Sequence, residues 1–217
     1  MPGKFGREQD EATERVPIVF FSRTPMDDRP TPPIFETSRL RLRTLQPDDL
    51  EFLVELECDP EVMEFVDSGT LMRNEALKYA EAEIGISRHR RRLHKWIVGL
   101  RKDGTRIGWV ELSKFEGVFD SDEEWVGDDV NLSFEFAKNY WNQGFAFESA
   151  RAVLAYAFGS VHLDRVVAYT HKDNVRSARL LDKLGFQQRA LMRHEVMDGK
   201  ECRLFALTAA DWSHESN

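Results

Sequence analysis

The sequence predicts an α/β fold in one domain, and three observations predict it. The first is a run of alternating apolar residues at 129–136 that leads through a glycine turn into an amphipathic helix. The second is a capped helix at 174–184 that follows a strand pattern at 165–170. The third is a pair of Asp-Gly turns, at 103–104 and 198–199, of the kind that closes a β-hairpin.

The remaining elements follow from the spacing of apolar residues. Leucines alternate with arginines at 40–44, as in a strand with one buried face, and Pro47 begins a helix. A second helix is predicted over 72–92, where Leu77, Ala80 and Ile84 recur on the apolar side. The predicted strands are 40–44, 95–100, 106–115, 129–136, 165–170, 187–197 and 200–207.

The two ends of the chain differ in composition from its centre. Residues 1–33 hold six of the eight prolines, which predicts a flexible N-terminal arm, followed by a folded domain at 34–212 and a short tail at 213–217. A short apolar segment at 16–21 packs either on this domain or on a second subunit of a homodimer. The sequence leaves both arrangements open.

Composition excludes several classes of protein. The 217 residues are 41% hydrophobic and 31% charged, as in a globular enzyme, with a net charge of −8 that argues against nucleic acid and favours amine-bearing partners. No apolar run reaches the ~20 residues of a membrane span, and no secretory signal is visible, so we expect a cytoplasmic protein. Cys58 and Cys202 are far apart, which predicts neither a disulfide nor a metal site.

The glycine turn between strand and helix, at 140–150, is suited to hold an anion. The first turn of a helix leaves N–H groups unpaired at its positive end, so the amides of 143–147 can converge on a phosphate. Gly144 and Ala146 leave room for a ligand, and Asn142 tolerates a left-handed backbone. An ordinary strand-to-helix connection is the alternative.

The second segment reads as a helix with both ends marked. Asn174 is a favoured N-cap residue, Leu181 and Leu184 share one face with Ala178, and Gly185 stands where a glycine commonly ends a helix.

Together the two segments resemble the GNAT superfamily of N-acetyltransferases, in its RimJ/RimL-like branch. Residues 140–150 are similar to the branch's Tyr-Trp-Gly-x-Gly-aromatic-Ala-x-Glu-Ala motif, and 174–186 to its Asn-x-x-Ser-x-x-Leu motif ending in Leu-Gly-Phe. A weaker similarity begins at Thr37, and the whole resemblance spans roughly 36–210. It implies a mixed, mostly antiparallel sheet of about seven strands with helices on both faces, and a gap between the fourth and fifth strands.

The resemblance also implies acetyl-CoA as co-substrate and the residues that contact it. The diphosphate is expected over the turn, and the pantetheine arm is expected to pair with the backbone near Phe134 and Phe136. Asn174 aligns with the family's CoA-contacting asparagine and Ser177 with its serine, although Asn174 also reads as a plain helix cap. The expected contacts in the turn are Asn142, Gln143, Gly144, Phe145, Ala146 and Phe147.

Acetyl transfer needs an amine that has lost its proton, so a general base is sought. On strand 131–136 the polar side chains Asn131, Ser133 and Glu135 share one face, which is unusual for a strand between covering helices. Glu135 is the first candidate base and Glu111 the second, and a surface carboxylate is the alternative for each. With Asn174 and Ser177, Glu135 completes the predicted catalytic set.

Some residues depart from the branch's pattern. Asn131 stands where an acidic residue is often found, and Asn142 replaces the usual glycine.

The function that the resemblance predicts is acetylation of a primary amine, on a protein N-terminus or a small molecule, by direct attack on the thioester. Catalysis that rests mostly on orientation is compatible with it. The alternative is a GNAT-like module that binds or senses acyl-CoA without catalysis.

Overall fold

The structure of the protein is a computed structural model that describes residues 33–66, 68–87, 93–115, 129–194 and 200–215. The predicted N-terminal arm up to residue 32 and the Asp-Gly turn at 198–199 lie outside these residues. The arm and the domain boundaries drawn from composition stay predictions.

The core element is one eight-stranded sheet in the order β1-β2-β3-β4-β5-β6-β8-β7. Neighbouring strands are antiparallel except for β5 and β6, which are parallel. The α/β class and the mixed, mostly antiparallel sheet are thereby confirmed. The strands are β1 Phe35–Glu36, β2 Leu40–Thr44, β3 Lys95–Leu100, β4 Arg106–Lys114, β5 Val130–Phe136, β6 Arg165–His171, β7 Gln187–His194 and β8 Lys200–Thr208.

Helices cover both faces of this sheet, because consecutive residues of a strand point to opposite sides. In β3, Ile97 packs with the first two helices, whereas Val98 packs in the larger cluster that includes the third and fourth helices. The fifth helix follows β8, and the sequence did not predict it. The helices are α1 Leu50–Glu57, α2 Arg73–Ser87, α3 Phe145–Gly159, α4 Val175–Lys183 and α5 Ala209–Glu215.

Two details differ from expectation. The strand β1 is only two residues long, too short to leave a periodic signal, which is why eight strands are found where about seven were expected. On α2, Ala80 and Ile84 are buried as predicted, but Leu77 is 37% exposed and Ala76 is buried in its place.

The gap between the parallel strands is the feature that positions the site. Strands β5 and β6 pair at only two positions, Val130 with Val166 and Asn131 with Val167. On its other side β5 pairs with β4 along its whole length. Beyond Asn131 the two parallel strands therefore separate, which confirms the expected splay between the predicted fourth and fifth strands.

Candidate active site

The turn before α3 presents a set of unpaired backbone amides. Gly144 is the N-cap at φ +79° and Asn142 lies at φ +59°, both left-handed. The first amide of the helix with a protein acceptor is that of Glu148, which donates to the Gly144 carbonyl at 3.0 Å. Within the described chain, no acceptor is found for the amides of 143–147. The predicted anion site thus has its donors available.

Residues 37–39, which lie more than 100 positions earlier in the sequence, hold this turn in place. Arg39 donates through Nη1 to the Gln143 carbonyl at 3.0 Å and through Nε to Glu148 at 2.6 Å. Its guanidinium also lies 4.4 Å from the centre of the Phe145 ring. Glu148 further accepts from Thr37, Ser38 and the Arg39 amide. The motifs at 140–150 and at Thr37 were both recognised in the sequence, but this link between them was not predicted.

The edge of β5 in the gap has backbone groups available for a ligand. Ala137 donates to the Ile107 carbonyl, so residues 131, 133 and 135 exchange hydrogen bonds with β4. Phe134 and Phe136 therefore direct their N–H and C=O groups into the gap. The Phe136 carbonyl accepts from the Trp141 indole at 2.6 Å, which leaves Phe134 and the Phe136 amide for an extended chain.

A cavity of about 420 Å³ lies beside the turn, and we name it the loop cavity. One wall is the turn with Phe134 and Phe136, and the other is α4. Three cationic side chains of α4 line that wall: Arg176, Arg179 and Lys183. Of the predicted cofactor contacts, all but Gln143 line this cavity, and the Gln143 carbonyl is turned to Arg39.

A second cavity, of about 410 Å³, lies on the other side of β5, and we name it the acidic cavity. It is lined by the polar face of β5 and by carboxylates, among them Glu57, Glu111 and Glu135. The two cavities share six lining residues and therefore meet: Phe65, Val66, Phe134, Glu135, Asn174 and Ser177. All three predicted catalytic residues stand at this junction.

Glu135 has an unusual environment for a carboxylate. Its Oε2 atom is buried without a hydrogen-bond partner in the described chain. Burial raises the pKa of Glu135 to about 8; the charge of Glu57 adds to the rise, while Lys95 and a hydrogen bond from Trp109 oppose it. A carboxyl group of this pKa can exchange a proton near neutral pH.

The cation among these carboxylates is Lys95, which is 2% exposed. Its Nζ lies 2.7 Å from Glu83 and 3.6 Å from Glu111, and 4.2 Å from the centre of the Trp109 ring. Burial alone would lower the pKa of Lys95, but Glu111 and the other acidic neighbours outweigh burial and raise it. Burial also raises the pKa of Glu57, against the pull of Lys95. Lys95 therefore balances only part of the negative charge.

Sequence reasoning missed Glu57, Lys95 and Glu83 as members of this cluster. They come from α1, β3 and α2, and no local motif joins them. The second candidate base, Glu111, lines the acidic cavity beside Lys95 and does not reach the junction.

Asn174 begins α4 as the sequence predicted. Its Oδ1 accepts from the Ser177 amide at 3.1 Å, which satisfies one of the unpaired donors of the first turn. The same residue lines both cavities, and its amide nitrogen has no acceptor in the part of the chain that the structure describes. The cap and a ligand contact are compatible, because they use different atoms.

Neither a membrane-spanning helix nor a metal-binding cluster occurs among the described residues. None of the helices there is long and apolar enough to cross a bilayer. No group of three or more His, Cys, Asp or Glu side chains in the same residues is arranged to hold a metal ion.

Comparison with known proteins identifies the family. The family model of the acetyltransferase (GNAT) domain matches residues 39–187. This match covers more than half of the chain, which therefore belongs to the GNAT acetyltransferases, a class of acetyl-CoA-dependent acyltransferases. The uncharacterized N-acetyltransferase YnaD of Bacillus subtilis is 26% identical over 180 residues, 82% of this chain and 98% of the relative. The alanine N-acetyltransferase of ribosomal protein uS5 from Escherichia coli is 27% identical over 113 residues, 45% of this chain and 58% of the relative.

Solved structures agree with the fold. A GNAT-family acetyltransferase from Bacillus anthracis has a TM-score of 0.66 at 20% identity, over 82% of this chain and 99% of that one. Spermidine N-acetyltransferase from Vibrio cholerae, in complex with CoA and spermine, has a TM-score of 0.62 at 16% identity, over 82% and 99%. The GNAT fold is thereby confirmed. Membership of the RimJ/RimL-like branch stays a prediction.

Proposed function

We propose that the protein transfers the acetyl group of acetyl-CoA to a primary amine by direct attack of the amine on the thioester. The observation that carries this proposal is the junction of the loop cavity with the acidic cavity at Glu135. One cavity has the donors and cations that suit a phosphorylated ligand, and the other has the carboxylates that suit an amine. Under this proposal each substrate occupies its own cavity, and the two cavities meet at the residues that they share.

The residues of the loop cavity fit CoA chemically. The available amides of 143–147 suit a diphosphate at the N-terminus of α3. Phe134 and the Phe136 amide suit the amides of a pantetheine arm, as an added strand would. Arg176, Arg179 and Lys183 provide positive charge opposite the turn for phosphate groups. When bound, acetyl-CoA supplies an acyl group activated as a thioester.

Glu135 is proposed as the general base. A lysine-like amine, with a pKa of ~10.4, costs about 4.6 kcal/mol to deprotonate at pH 7, so a proton acceptor at the junction lowers the barrier. Glu135 stands at the junction with an oxygen that has no partner among the described residues, whereas Glu111 lies beside Lys95 away from it. The contacts therefore support Glu135 over Glu111.

Asn174 and Ser177 are proposed to orient the reacting groups from the opposite wall. The Asn174 amide nitrogen is a donor for a pantetheine carbonyl, and the Ser177 hydroxyl is a donor for the sulfur that leaves. Both side chains stand on the first turn of α4, whose geometry is fixed by the cap between them. Orientation by fixed donors accounts for a large part of the rate in reactions of this type.

The relatives support an amine acceptor. Two of the compared proteins have names that state the acceptor: an alanine of ribosomal protein uS5 and spermidine, each of which carries a primary amino group. These substrates belong to those proteins. For this chain the acidic cavity is the observation that supports a cationic amine, since carboxylates stabilise an ammonium group before it loses its proton.

The test is turnover by the full-length protein. Purified protein is incubated with acetyl-CoA and a panel of amines that includes peptides, polyamines and aminoglycosides, and free CoA thiol is measured with the mass of the product. We expect at least one amine to gain an acetyl group, with a Glu135→Gln protein about a hundredfold slower. CoA binding in a calorimeter without acetylation of any amine would instead support the sensing module and overturn the enzyme.

A further inference from the structure

Trp109 lies directly beside Glu135 in the sheet, on the neighbouring strand. The two residues are Cα partners in the antiparallel pairing of β4 with β5, so their side chains leave the same face with about 5 Å between Cβ atoms. Both side chains line the acidic cavity, and Trp109 does not line the loop cavity. Trp109 is therefore placed to act on Glu135 and not on CoA.

The indole N–H of Trp109 donates a hydrogen bond to the Glu135 carboxyl group. Oε2 is the oxygen that is buried without a partner in the described chain, so the indole contacts Oε1. An indole can donate but cannot accept, so the bond favours the charged carboxylate. The two oxygens of Glu135 are thus unequal: the protein holds one, and the other is left to take a proton.

Packing fixes the direction in which the indole N–H points. Trp109 is 6% exposed and packs in the cluster that α1 and α2 form over this face of the sheet. The Lys95 ammonium lies 4.2 Å from the centre of the ring, and its ion pairs among the described residues are with Glu83 and Glu111. The ring is therefore held from several sides before any substrate is bound.

We propose that Trp109 is the positioning residue for the general base: its indole N–H holds Glu135 by Oε1 and turns Oε2 to the junction, where the amine gives up its proton. This inference rests on the proposed function and names a residue through which the base acts. Trp109 itself exchanges no proton. A base must lie within hydrogen-bond distance of the proton that it takes, and a carboxyl group held at one oxygen keeps the other in place.

The ionisation of Glu135 depends on more groups than Trp109. Trp109→Phe keeps an aromatic ring and removes the N–H, so the variant isolates the contribution of the donor. The other titratable groups in the wall of the acidic cavity are the same in both proteins: Glu57 of α1, Tyr79 of α2, Lys95 of β3, Glu111 of β4 and His171 of β6.

The first test is the pH profile of Trp109→Phe in the full-length protein. We expect the inflection in kcat/KM to move to higher pH and the value at pH 7 to fall about tenfold, while the KM for acetyl-CoA is unchanged. Trp96→Phe is the matched control, because it removes an indole donor that lies outside both cavities and is bonded to the Pro33 carbonyl at 3.0 Å. It should leave the inflection in place. An inflection at the wild-type pH in Trp109→Phe would overturn the proposal.

An isosteric replacement keeps the test independent of packing. A benzothiophene side chain, introduced at position 109 alone, has the shape of the indole and carries sulfur in place of the N–H group. This protein should show the same displaced inflection as Trp109→Phe. A wild-type profile would assign the effect of phenylalanine to its smaller ring and would overturn the proposal.

Nuclear magnetic resonance separates this inference from the proposed function, because it needs no turnover. The indole N–H resonance of Trp109, assigned by its loss in Trp109→Phe, is followed with pH. We expect it to shift in wild type with an inflection near the pKa of Glu135, about 8, and to lose this inflection in Glu135→Gln. A resonance that does not titrate in wild type, or that titrates equally in both proteins, would overturn the positioning role even if an amine is acetylated. A titrating resonance in a protein that acetylates no amine would support the link to Glu135 and overturn the proposed function alone.

Discussion

Glu148 accepts the Arg39 Nε–H at 2.6 Å and thereby ties the first turn of α3 to the corner between β1 and β2. The same carboxylate accepts from the Arg39 amide at 3.0 Å. Arg39 in turn reaches the Gln143 carbonyl within the turn. The turn that offers its amides to an anion is therefore braced by a segment that lies 109 residues away in the sequence.

The first prediction concerns this brace. Glu148→Gln should weaken CoA binding about tenfold, because the neutral amide accepts fewer of the hydrogen bonds and the turn loses its fixed shape. We expect the KM for acetyl-CoA to rise by this factor while kcat is unchanged. Steady-state kinetics and calorimetry measure both effects. Glu55→Gln, on the exposed side of α1, serves as the control and should change neither.

The pH dependence of the brace has a definite sign. Burial raises the pKa of Glu148, but hydrogen bonds from Thr37, Arg39 and Ser38 outweigh burial and lower it. The stability that Glu148 contributes is then present above its unfolded pKa and is lost as pH falls through the folded value. The difference in unfolding midpoint between wild type and Glu148→Gln should shrink on acidification, and a constant difference would contradict this.

The second prediction separates stability from binding at the turn. Ala146→Asp places a negative charge in the first turn of α3, where the helix dipole stabilises it by about 0.3–1 kcal/mol. The same charge repels a diphosphate. The variant should therefore melt no earlier than wild type and bind CoA at least tenfold more weakly, as measured by thermal unfolding and calorimetry. Ala155→Asp, exposed on the same helix, adds the same charge and should leave CoA affinity unchanged.

Features set by local backbone chemistry could be read from the sequence. Gly144 is left-handed and Asn174 caps α4 because such residue types favour those conformations wherever they occur. The alternation in β5 fixed which side chains share a face, so Asn131 and Glu135 could be placed together without knowledge of the fold.

Features that depend on distant packing could not be read in this way. Lys95, Glu57 and Glu83 come from three different elements and meet only after the helices cover the sheet. The link from Arg39 to Glu148 joins two motifs whose distance in space is set by the order of the strands. The open groups of Phe134 follow from the hydrogen-bond register of β5 and β4, which no sequence period determines.

The third prediction distinguishes the two uses of Asn174. Asn174→Asp keeps the cap oxygen and removes the amide donor, whereas Asn174→Ala removes both. Only the Ala variant should lose stability, by about 1 kcal/mol. Both should lower kcat/KM with acetyl-CoA. If Asn174→Asp matched wild type in kinetics, Asn174 would be a cap alone.

The fourth prediction concerns the buried cation. Lys95→Met removes the buried cation that pairs with Glu83 and Glu111, and removing one member of a buried ion pair typically costs about 3–5 kcal/mol. Lys95 also holds down the pKa of Glu57 and of Glu135, both of which are raised by burial, so its removal raises both pKa values further. The folded state then retains protons that the unfolded state releases, and the loss of stability is largest at alkaline pH. The free energy of unfolding of Lys95→Met, measured in urea, should lie far below that of wild type at pH 8 and closer to it at pH 5. Lys78→Met, exposed on α2, should show neither.

The last prediction joins the stability and the activity of Glu135 through one ionisation. The pKa of Glu135 is raised to about 8, above that of the unfolded chain, so the folded protein retains a proton that the unfolded chain releases. The stability of wild type should then fall as pH rises from about 4.5 to about 8, because the unfolded state binds fewer protons over this interval. Glu135→Gln should equal wild type at pH 4 and melt later at pH 9.

Activity should rise with pH over the same interval in which stability falls. The wild-type kcat/KM should rise with pH through an inflection near the pKa of Glu135, as the base loses its proton. Glu135→Gln should be slower and should lack this inflection, and the same amine is used for both proteins so that its own ionisation appears in both profiles. An inflection retained in Glu135→Gln would assign it to another group and remove Glu135 as the base. A variant that is more stable at alkaline pH and yet slower identifies a carboxylate kept at the junction for its chemistry.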